Sequence, residues 1–146
     1  MKQLIFTFAI LLVACGFSRS DEDSVSLADM VEMVEPMTAE CEPKPERKHI
    51  EELLQLKEDA LMETKCLRAC LFEQFDMIEN GQMIEEKTVE MFAMFYHGAD
   101  EQLKEIIKIC NGEAKTVTEK CENAHSHAMC MKRELKSRGF KIPELE

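Results

Sequence analysis

Apolar residues recur along this chain with the three- and four-residue spacing that marks one face of an α-helix. Leu27, Met30, Val31 and Val34 have this spacing near the start, and Pro36 ends the segment. No stretch alternates apolar and polar residues clearly enough to predict a strand, and no internal repeat is found. Five further helical segments are predicted, namely 50–54, 59–78, 85–96, 103–110 and 118–137. The pattern therefore predicts an all-α fold, a compact bundle of about six helices.

The segment 59–78 differs from the others because its apolar residues point in most directions. This pattern is typical of a helix at the centre of a bundle. Four glycines lie beyond residue 20, and we expect each of them to lie where a helix ends: Gly81, Gly98, Gly112 and Gly139. Glycine suits these places because it readily adopts the left-handed conformation of a helix C-terminal cap.

The first twenty residues have the pattern of a secretory signal. Lys2 precedes the apolar run Leu4–Ala14, which is too short to span a bilayer, and small residues suitable for cleavage follow it. We therefore expect residues 1–20 to be a signal peptide, with approximate cleavage, and residues 21–146 to form one domain. Residues 138–146 form its C-terminal tail.

Cys15 leaves one alternative open for this leader. The stretch Leu12–Cys15 also fits a bacterial lipoprotein signal, in which the cysteine would be kept and lipidated. We expect Cys15 to be removed with the signal peptide instead. Since no other segment stays apolar for long enough to cross a bilayer, we expect no membrane insertion.

Composition and charge narrow the class of protein. The chain has 146 residues, of which 45% are hydrophobic and 32% charged, as expected for a single globular domain. Its net charge of -11 argues against a nucleic-acid partner, because phosphates require a basic surface. Binding to an anionic membrane surface is disfavoured for the same reason.

Six cysteines remain after the signal peptide, and an even number in an exported domain predicts three disulfides. Two pairings are excluded by helix geometry: Cys66 and Cys70 point the same way one turn apart, and Cys121 and Cys130 lie about 13.5 Å apart along one helix. Ten of the fifteen possible connectivities remain open. The six are Cys41, Cys66, Cys70, Cys110, Cys121 and Cys130.

The complete spacing, C-x24-C-x3-C-x39-C-x10-C-x8-C, resembles that of the insect odorant-binding and pheromone-binding proteins. Their six-cysteine signature also has three residues between the second and third Cys and eight between the fifth and sixth. Residues 65–71 and 120–124 are similar to the family's local sequences, and the match runs from about residue 24 to the end. The resemblance implies the family's pairing, first to third, second to fifth and fourth to sixth: Cys41–Cys70, Cys66–Cys121 and Cys110–Cys130.

The resemblance also implies a fold and a function. The expected fold is the insect odorant-binding protein fold, with helices stapled by three disulfides around an internal apolar pocket. The expected function is a secreted carrier that solubilises small hydrophobic ligands, such as odorants or pheromones, and delivers them through sensory lymph or another extracellular fluid. Its partners would be a small apolar organic ligand and a chemosensory receptor, and the protein would be a monomer or weak homodimer. We expect no enzymatic activity, no cofactor and no metal.

The lining of the expected pocket is predicted from helix faces. Ten of the eleven Met lie beyond the signal peptide, with one Tyr and no Trp, which suggests an adaptable interior for apolar guests, although these residues also suit an ordinary core. Our hypothesis is that the disulfides compensate for a core hollowed out to hold a guest. Phe72 and Met131 resemble positions that face ligand in the family. The candidates from the helices are Leu27, Met30, Val34, Phe72, Phe75, Phe92, Phe95, Leu103, Ile107, Ala124, Ala128 and Met131.

The C-terminal tail supplies the last two pocket candidates, Phe140 and Ile142. In the family the C-terminal segment covers or enters the pocket, sometimes depending on pH. We interpret the tail as a lid, with a disordered terminus as the alternative. His125 and His127 are the groups that would titrate between pH 5 and 7, if they are not simply solvated.

Three other classes of function find less support in the sequence. Cys121, His125, His127 and Cys130 have residue types that zinc accepts, but the two cysteines face opposite sides of one helix and export favours their oxidation. An enzyme is disfavoured because neither G-x-S-x-G nor H-E-x-x-H is present. A secreted helical interaction or signalling protein, or a non-olfactory carrier of the same fold, remains the alternative.

Overall fold

The computed structural model describes residues 26–142 together with 144 and 145. The predicted signal peptide, with its Lys2 and Cys15, lies outside the described residues. Within them, the chain folds into six α-helices joined by short connections, which confirms the all-α prediction. The helices are α1 (Leu27–Val34), α2 (Arg47–Leu54), α3 (Met62–Gln74), α4 (Glu85–Ala93), α5 (Asp100–Ala114) and α6 (Lys120–Ser137).

Two side chains show why the first and last helices begin where they do. Ser26 caps α1 in a capping box, in which its hydroxyl accepts from the Asp29 N–H at 3.2 Å and the Asp29 carboxylate accepts from the Ser26 N–H at 3.2 Å. Glu119 caps α6, and its carboxylate accepts from the N–H groups of Cys121 (3.1 Å) and Glu122 (2.7 Å). These bonds satisfy N–H groups that have no partner within a helix.

A short hairpin connects α3 to α4, although the hydrophobic pattern predicted no strand. β1 (Ile78–Glu79) pairs antiparallel with β2 (Gln82–Met83). Asn80 and Gly81, which we expected to end a helix, have φ values of 51° and 75° and form the turn between the strands. Asn-Gly favours this type of hairpin turn because both of its central residues need a positive φ.

Asn111 of α5 attaches this hairpin to the helical body. Its Oδ1 accepts from the Met83 N–H at 2.8 Å, and its Nδ2 donates to the Met83 carbonyl at 3.0 Å. The side-chain amide thus pairs with β2 in place of a third strand. Because Met83 is itself buried, this clasp holds the hairpin against the core.

Gly112 departs from the prediction that all four glycines end helices. α5 continues through Gly112 to Ala114, and Gly81 also departs from the prediction because it lies in the hairpin turn. Gly98 follows α4 and Gly139 follows α6, and both have a positive φ. Ala114 is fully buried, so the last turn of α5 is held by packing that offsets the cost of a glycine inside it.

The buried apolar residues form two clusters. The N-terminal cluster lies among α1, α2 and α3 and consists of Val31, Cys41, Ile50, Leu67 and Leu71. The C-terminal cluster lies among β2, α4, α5 and α6 and consists of Met83, Val89, Ala99, Leu103, Ile106, Ile107, Cys110, Cys130, Met131 and Leu135. No helix among residues 26–142 is both long and apolar enough to cross a membrane.

Candidate ligand-binding site

Three disulfides connect the walls of the bundle. Cys41, in the segment before α2, is bonded to Cys70 of α3; Cys66 of α3 is bonded to Cys121 of α6. Cys110 of α5 is bonded to Cys130 of α6. These are the three pairs that the family resemblance implies. α3 and α6 each carry two bonds, so the two helices that pack most closely together are also the most crosslinked.

The C-terminal cluster brings together six of the fourteen predicted pocket residues. Leu103 and Ile107 of α5 and Met131 of α6 are buried within it, with at most 4% of each side chain exposed. The other three are partly buried and pack against it: Phe92, Phe140 and Ile142. Helix faces predicted from spacing therefore converge on one apolar region built by α4, α5, α6 and the tail.

The N-terminal cluster holds a separate group of the candidates. Leu27 and Val34 of α1 pack against it from the outside, and Val31 supplies the fully buried contact. Met30 is half-buried. The structure thus places the α1 candidates against α2 and α3, and not within the C-terminal cluster.

The remaining α3 and α6 candidates differ in burial. Phe72 is half-buried, whereas Ala124 and Ala128 are buried at 1% and 7% exposure. Ala124 borders a cleft beside the hairpin, described below. Short side chains at these two positions allow α6 to lie close to its neighbours.

Phe75 and Phe95 lie at the surface, contrary to the prediction that they line a pocket. Their exposed fractions are 39% and 67%. The reason is helix length, since α3 ends at Gln74 and α4 ends at Ala93, earlier than the hydrophobic pattern indicated. Beyond these ends the 3.6-residue period no longer fixes the direction of a side chain.

The tail folds back over the edge of the C-terminal cluster. The Phe140 N–H donates to the Leu135 carbonyl at 3.1 Å, and the Phe140 ring meets Tyr96 edge-on, with centroids 5.1 Å apart. The Tyr96 hydroxyl donates to the Lys141 carbonyl at 3.1 Å. Burial raises the pKa of Tyr96, so its hydroxyl stays a donor at neutral pH. Tyr96 also stacks on Phe92 at 6.4 Å, which joins the tail to α4.

A buried polar contact links α3 to α6, and no pattern in the sequence indicates it. Arg68, 3% exposed, donates from Nη1 to Nδ1 of His125 at 2.8 Å, and Nε2 of His125 bonds the Glu58 carbonyl at 2.9 Å. An arginine can only donate and a carbonyl can only accept, so His125 is neutral with its proton on Nε2. Burial, then the charges of Arg68 and Lys65, lower the pKa of His125.

His127 is also buried, so neither histidine is the solvated group that the sequence left open. Its Nε2 donates to the Gly81 carbonyl at 2.9 Å, and burial lowers its pKa. Its Nδ1 is a buried acceptor with no partner in the part of the chain that the structure describes, and the same holds for the Thr88 hydroxyl. A periodicity argument does not reveal that the two histidines are buried, because the groups that they hydrogen-bond lie on other elements.

The four side chains that could have bound zinc make other contacts in the structure. Cys121 and Cys130 are bonded to different cysteines, and His125 and His127 bond carbonyl oxygens on opposite sides of α6. No cluster of three metal-ligating side chains occurs between residues 26 and 142.

A cleft of about 400 Å³ opens beside the hairpin. It lies between the end of α3, the hairpin, the segment after α5 and the start of α6. Ala124 is the only predicted pocket residue among its walls. Its lining consists of Ala69, Glu73, Ile78, Asn80, Gly81, Gln82, Ala114, Lys115, Val117, Thr118, Lys120, Asn123 and Ala124.

Comparisons with known proteins agree with the cysteine spacing. The model of the PBP/GOBP family matches residues 24–134. Among solved structures, the odorant-binding protein dmelOBP28a from Drosophila melanogaster matches with a TM-score of 0.52 and 20% identity, over 79% of this chain and 93% of that chain. At this identity the likeness concerns the fold alone. The comparison with curated proteins finds no significant match.

Proposed function

This chain belongs to the PBP/GOBP family, and on that premise we propose that it is a secreted carrier of small apolar molecules. It would bind ligands such as odorants or pheromones, keep them dissolved in an extracellular fluid and bring them to receptors. The family is one of binding proteins, so an enzymatic role is not proposed. The observation that carries the proposal is the C-terminal cluster, where six predicted pocket residues meet.

The C-terminal cluster combines a fixed interior with an aromatic edge. Leu103 and Ile107 are fully buried, while Phe92, Tyr96 and Phe140 are only partly buried and pack against the same residues. An apolar guest between the aromatic edge and the interior would be removed from water, which stabilises binding by about 25 cal/mol per Å² of buried apolar surface. The edge residues would move aside on entry, since they are the less constrained ones.

The disulfides support exchange of a guest without loss of the fold. Cys110–Cys130 crosslinks the two helices, α5 and α6, that supply most of the cluster, and Cys66–Cys121 ties α6 to α3. The walls therefore stay in place when the edge opens. Three disulfides also fit secretion, because such bonds persist in oxidising compartments.

Uptake of the fluorescent apolar probe N-phenyl-1-naphthylamine tests the proposal with a matched pair of variants. Phe92 packs against the cluster and Phe95, three residues later, is 67% exposed. Phe92→Ala is expected to weaken probe binding about tenfold, because it removes a ring that would contact the guest. Phe95→Ala is expected to leave the affinity unchanged.

Three results discriminate between the possibilities. Wild-type protein that takes up no probe contradicts the carrier and favours the alternative, a secreted helical interaction or signalling protein. Probe uptake with equal loss in both variants would place the site elsewhere than the C-terminal cluster. Loss in Phe92→Ala alone supports both the carrier and its site.

A further inference from the structure

The cleft beside the hairpin is separate from the C-terminal cluster. Its walls come from α3, the hairpin, the segment after α5 and the start of α6, and none of the C-terminal cluster's residues lines it. Three buried alanines, Ala69, Ala114 and Ala124, keep it open, because longer side chains at these positions would occupy the space. At about 400 Å³ its volume lies within the usual range of ligand pockets.

Asn123 gives this cleft an oriented hydrogen-bond acceptor. The residue lines the cleft and is only 4% exposed. Its Nδ2 lies within donating distance of three carbonyl oxygens, those of Gly81 (3.1 Å), Ala114 (3.3 Å) and Val117 (3.0 Å). Exchanging the amide nitrogen and oxygen would place oxygen against these three acceptors, so the orientation of the amide is fixed.

This orientation leaves Oδ1 of Asn123 as an acceptor without a protein donor, within the part of the chain that the structure describes. Gly81 lies beside it, and a Cβ placed on Gly81 would be 3.8 Å from Oδ1. The absence of a side chain at Gly81 therefore leaves room next to Oδ1. Asn123 is otherwise buried and Oδ1 is not among the fully buried atoms that lack a partner, so this acceptor can be reached by a partner that donates a hydrogen bond.

Charges around the cleft select among possible donors. Lys120 is paired with Glu73 at 2.9 Å, and both residues line the cleft. Lys115 also lines it and has no ion pair among the described residues, so the surroundings disfavour an ammonium group. Ile78 and Val117 supply apolar surface. A neutral hydroxyl on a short aliphatic chain fits all three features. The hydroxyl donates to the acceptor, it adds no positive charge, and the alkyl chain packs against the apolar walls.

We propose that this cleft is a second binding site for a small aliphatic alcohol, whose hydroxyl donates to Oδ1 of Asn123. The alkyl part of the alcohol lies against Ile78, Val117 and the three alanines. The site does not depend on ligand binding at the C-terminal cluster, and occupancy at one does not require occupancy at the other.

The test uses 1-hexanol and its isomer 1-methoxypentane, which has the same atoms but no hydroxyl donor. Both are titrated into ¹⁵N-labelled protein, and amide signals of Gly81, Val117 and Thr118 are followed by NMR. 1-Hexanol is expected to shift these signals to saturation. The ether is expected to bind there about three- to tenfold more weakly, because it cannot donate to Asn123.

Two tryptophan variants locate the site. Thr118→Trp places a large ring in the cleft and is expected to weaken 1-hexanol binding there at least tenfold. Thr116→Trp, two residues away, exposed and outside the cleft lining, is the matched control and is expected to bind like wild type. Both positions are exposed, so a folded protein is expected in each case.

Several outcomes would overturn the proposal. Shifts confined to the residues of the C-terminal cluster, or shifts that never saturate, show that the cleft is no site for alcohols. Equal binding of the ether and the alcohol would show that the hydroxyl does not donate to Asn123. Unchanged binding in Thr118→Trp would show that the alcohol does not bind in the cleft. Because the isomer comparison uses wild-type protein, it holds even if a variant fails to fold. Failure here leaves probe uptake at the C-terminal cluster untouched.

Discussion

At the scale of single residues, the interior between α3 and α6 depends on one buried cation. Arg68 is 3% exposed, and burial lowers its pKa to about 10, so it remains charged at neutral pH. Its hydrogen bonds go to neutral acceptors, namely His125 Nδ1 at 2.8 Å and the Leu53 carbonyl at 3.4 Å. A cation held this way needs a neutral histidine beside it, because a protonated ring would lose its acceptor and add a like charge.

The buried histidines give the protein a pH-dependent stability. Burial lowers the pKa of His125 and of His127 below 6.5, so between these lowered values and 6.5 the unfolded chain binds more protons. The contribution of these two histidines to the free energy of unfolding is therefore fully present above pH 6.5 and is lost as the pH falls below that value. In His127→Gln, whose amide can still donate to the Gly81 carbonyl, we expect a smaller loss between pH 7.5 and 5.5.

Urea unfolding at the two pH values measures this difference. The exposed His97 supplies the control, and His97→Gln is expected to lose as much stability on acidification as wild type. An equal loss in His127→Gln and wild type would contradict a contribution from His127.

At the scale of elements, the side-chain amide of Asn111 hydrogen-bonds β2 as a neighbouring strand would. Its amide pairs with both backbone groups of Met83 and thereby fixes the hairpin against α5. The hairpin in turn supplies the Gly81 carbonyl, which accepts from His127 and Asn123 of α6. One asparagine therefore positions the carbonyl on which the start of α6 depends.

Replacing Asn111 with leucine is expected to lower the free energy of unfolding by about 2–6 kcal/mol. The reason is that the N–H and carbonyl of Met83 would be left buried without partners, and each such group costs about 1–3 kcal/mol. Lys108→Ala, on an exposed position one turn earlier in α5, should change stability by less than about 0.5 kcal/mol. Urea unfolding gives both values, and similar losses in the two variants would refute the role of the clasp.

Element types were predictable from the sequence because they depend on local spacing, whereas their ends were not. The stripe from Leu27 to Val34 coincides with α1, since apolar spacing and Pro36 act within a few residues. Phe95 was misplaced because α4 ends two residues before it, and that end depends on tertiary packing. The Asn80–Gly81 pair carried a hairpin signal that was interpreted as a helix end.

At the scale of the whole molecule, the cysteines carried more information than the helices. The spacing of the cysteines linked this chain to a family, and the family resemblance implied three disulfides. Their sequence separations are 29, 55 and 20 residues. Contacts such as Arg68 with His125, 57 residues apart, have no equivalent signal. For the same reason, the division of the predicted pocket residues between two clusters could not be inferred, because helix faces do not tell which neighbours they meet.

The tail packs against the C-terminal cluster, and its removal tests whether it acts as a lid. Truncation after Ser137 removes the ring that packs on Tyr96 and the carbonyl that accepts from the Tyr96 hydroxyl. We expect N-phenyl-1-naphthylamine to bind about tenfold more weakly and to leave faster, since the aromatic edge would open to water. Phe140→Ala should reproduce much of this effect, while Lys141→Ala should not, because only the backbone carbonyl of Lys141 takes part.

The contacts between the tail and Tyr96 also predict how the tail responds to acid. Neither the Tyr96 hydroxyl, whose pKa is raised by burial, nor the Lys141 carbonyl titrates between pH 5 and 7. The tail's contribution to affinity, measured as the ratio between full-length and truncated protein, should therefore be the same at pH 7 and pH 5. Unchanged affinity and release after truncation would end the lid hypothesis, and a ratio that falls with pH would show that a titrating group outside these contacts controls the tail.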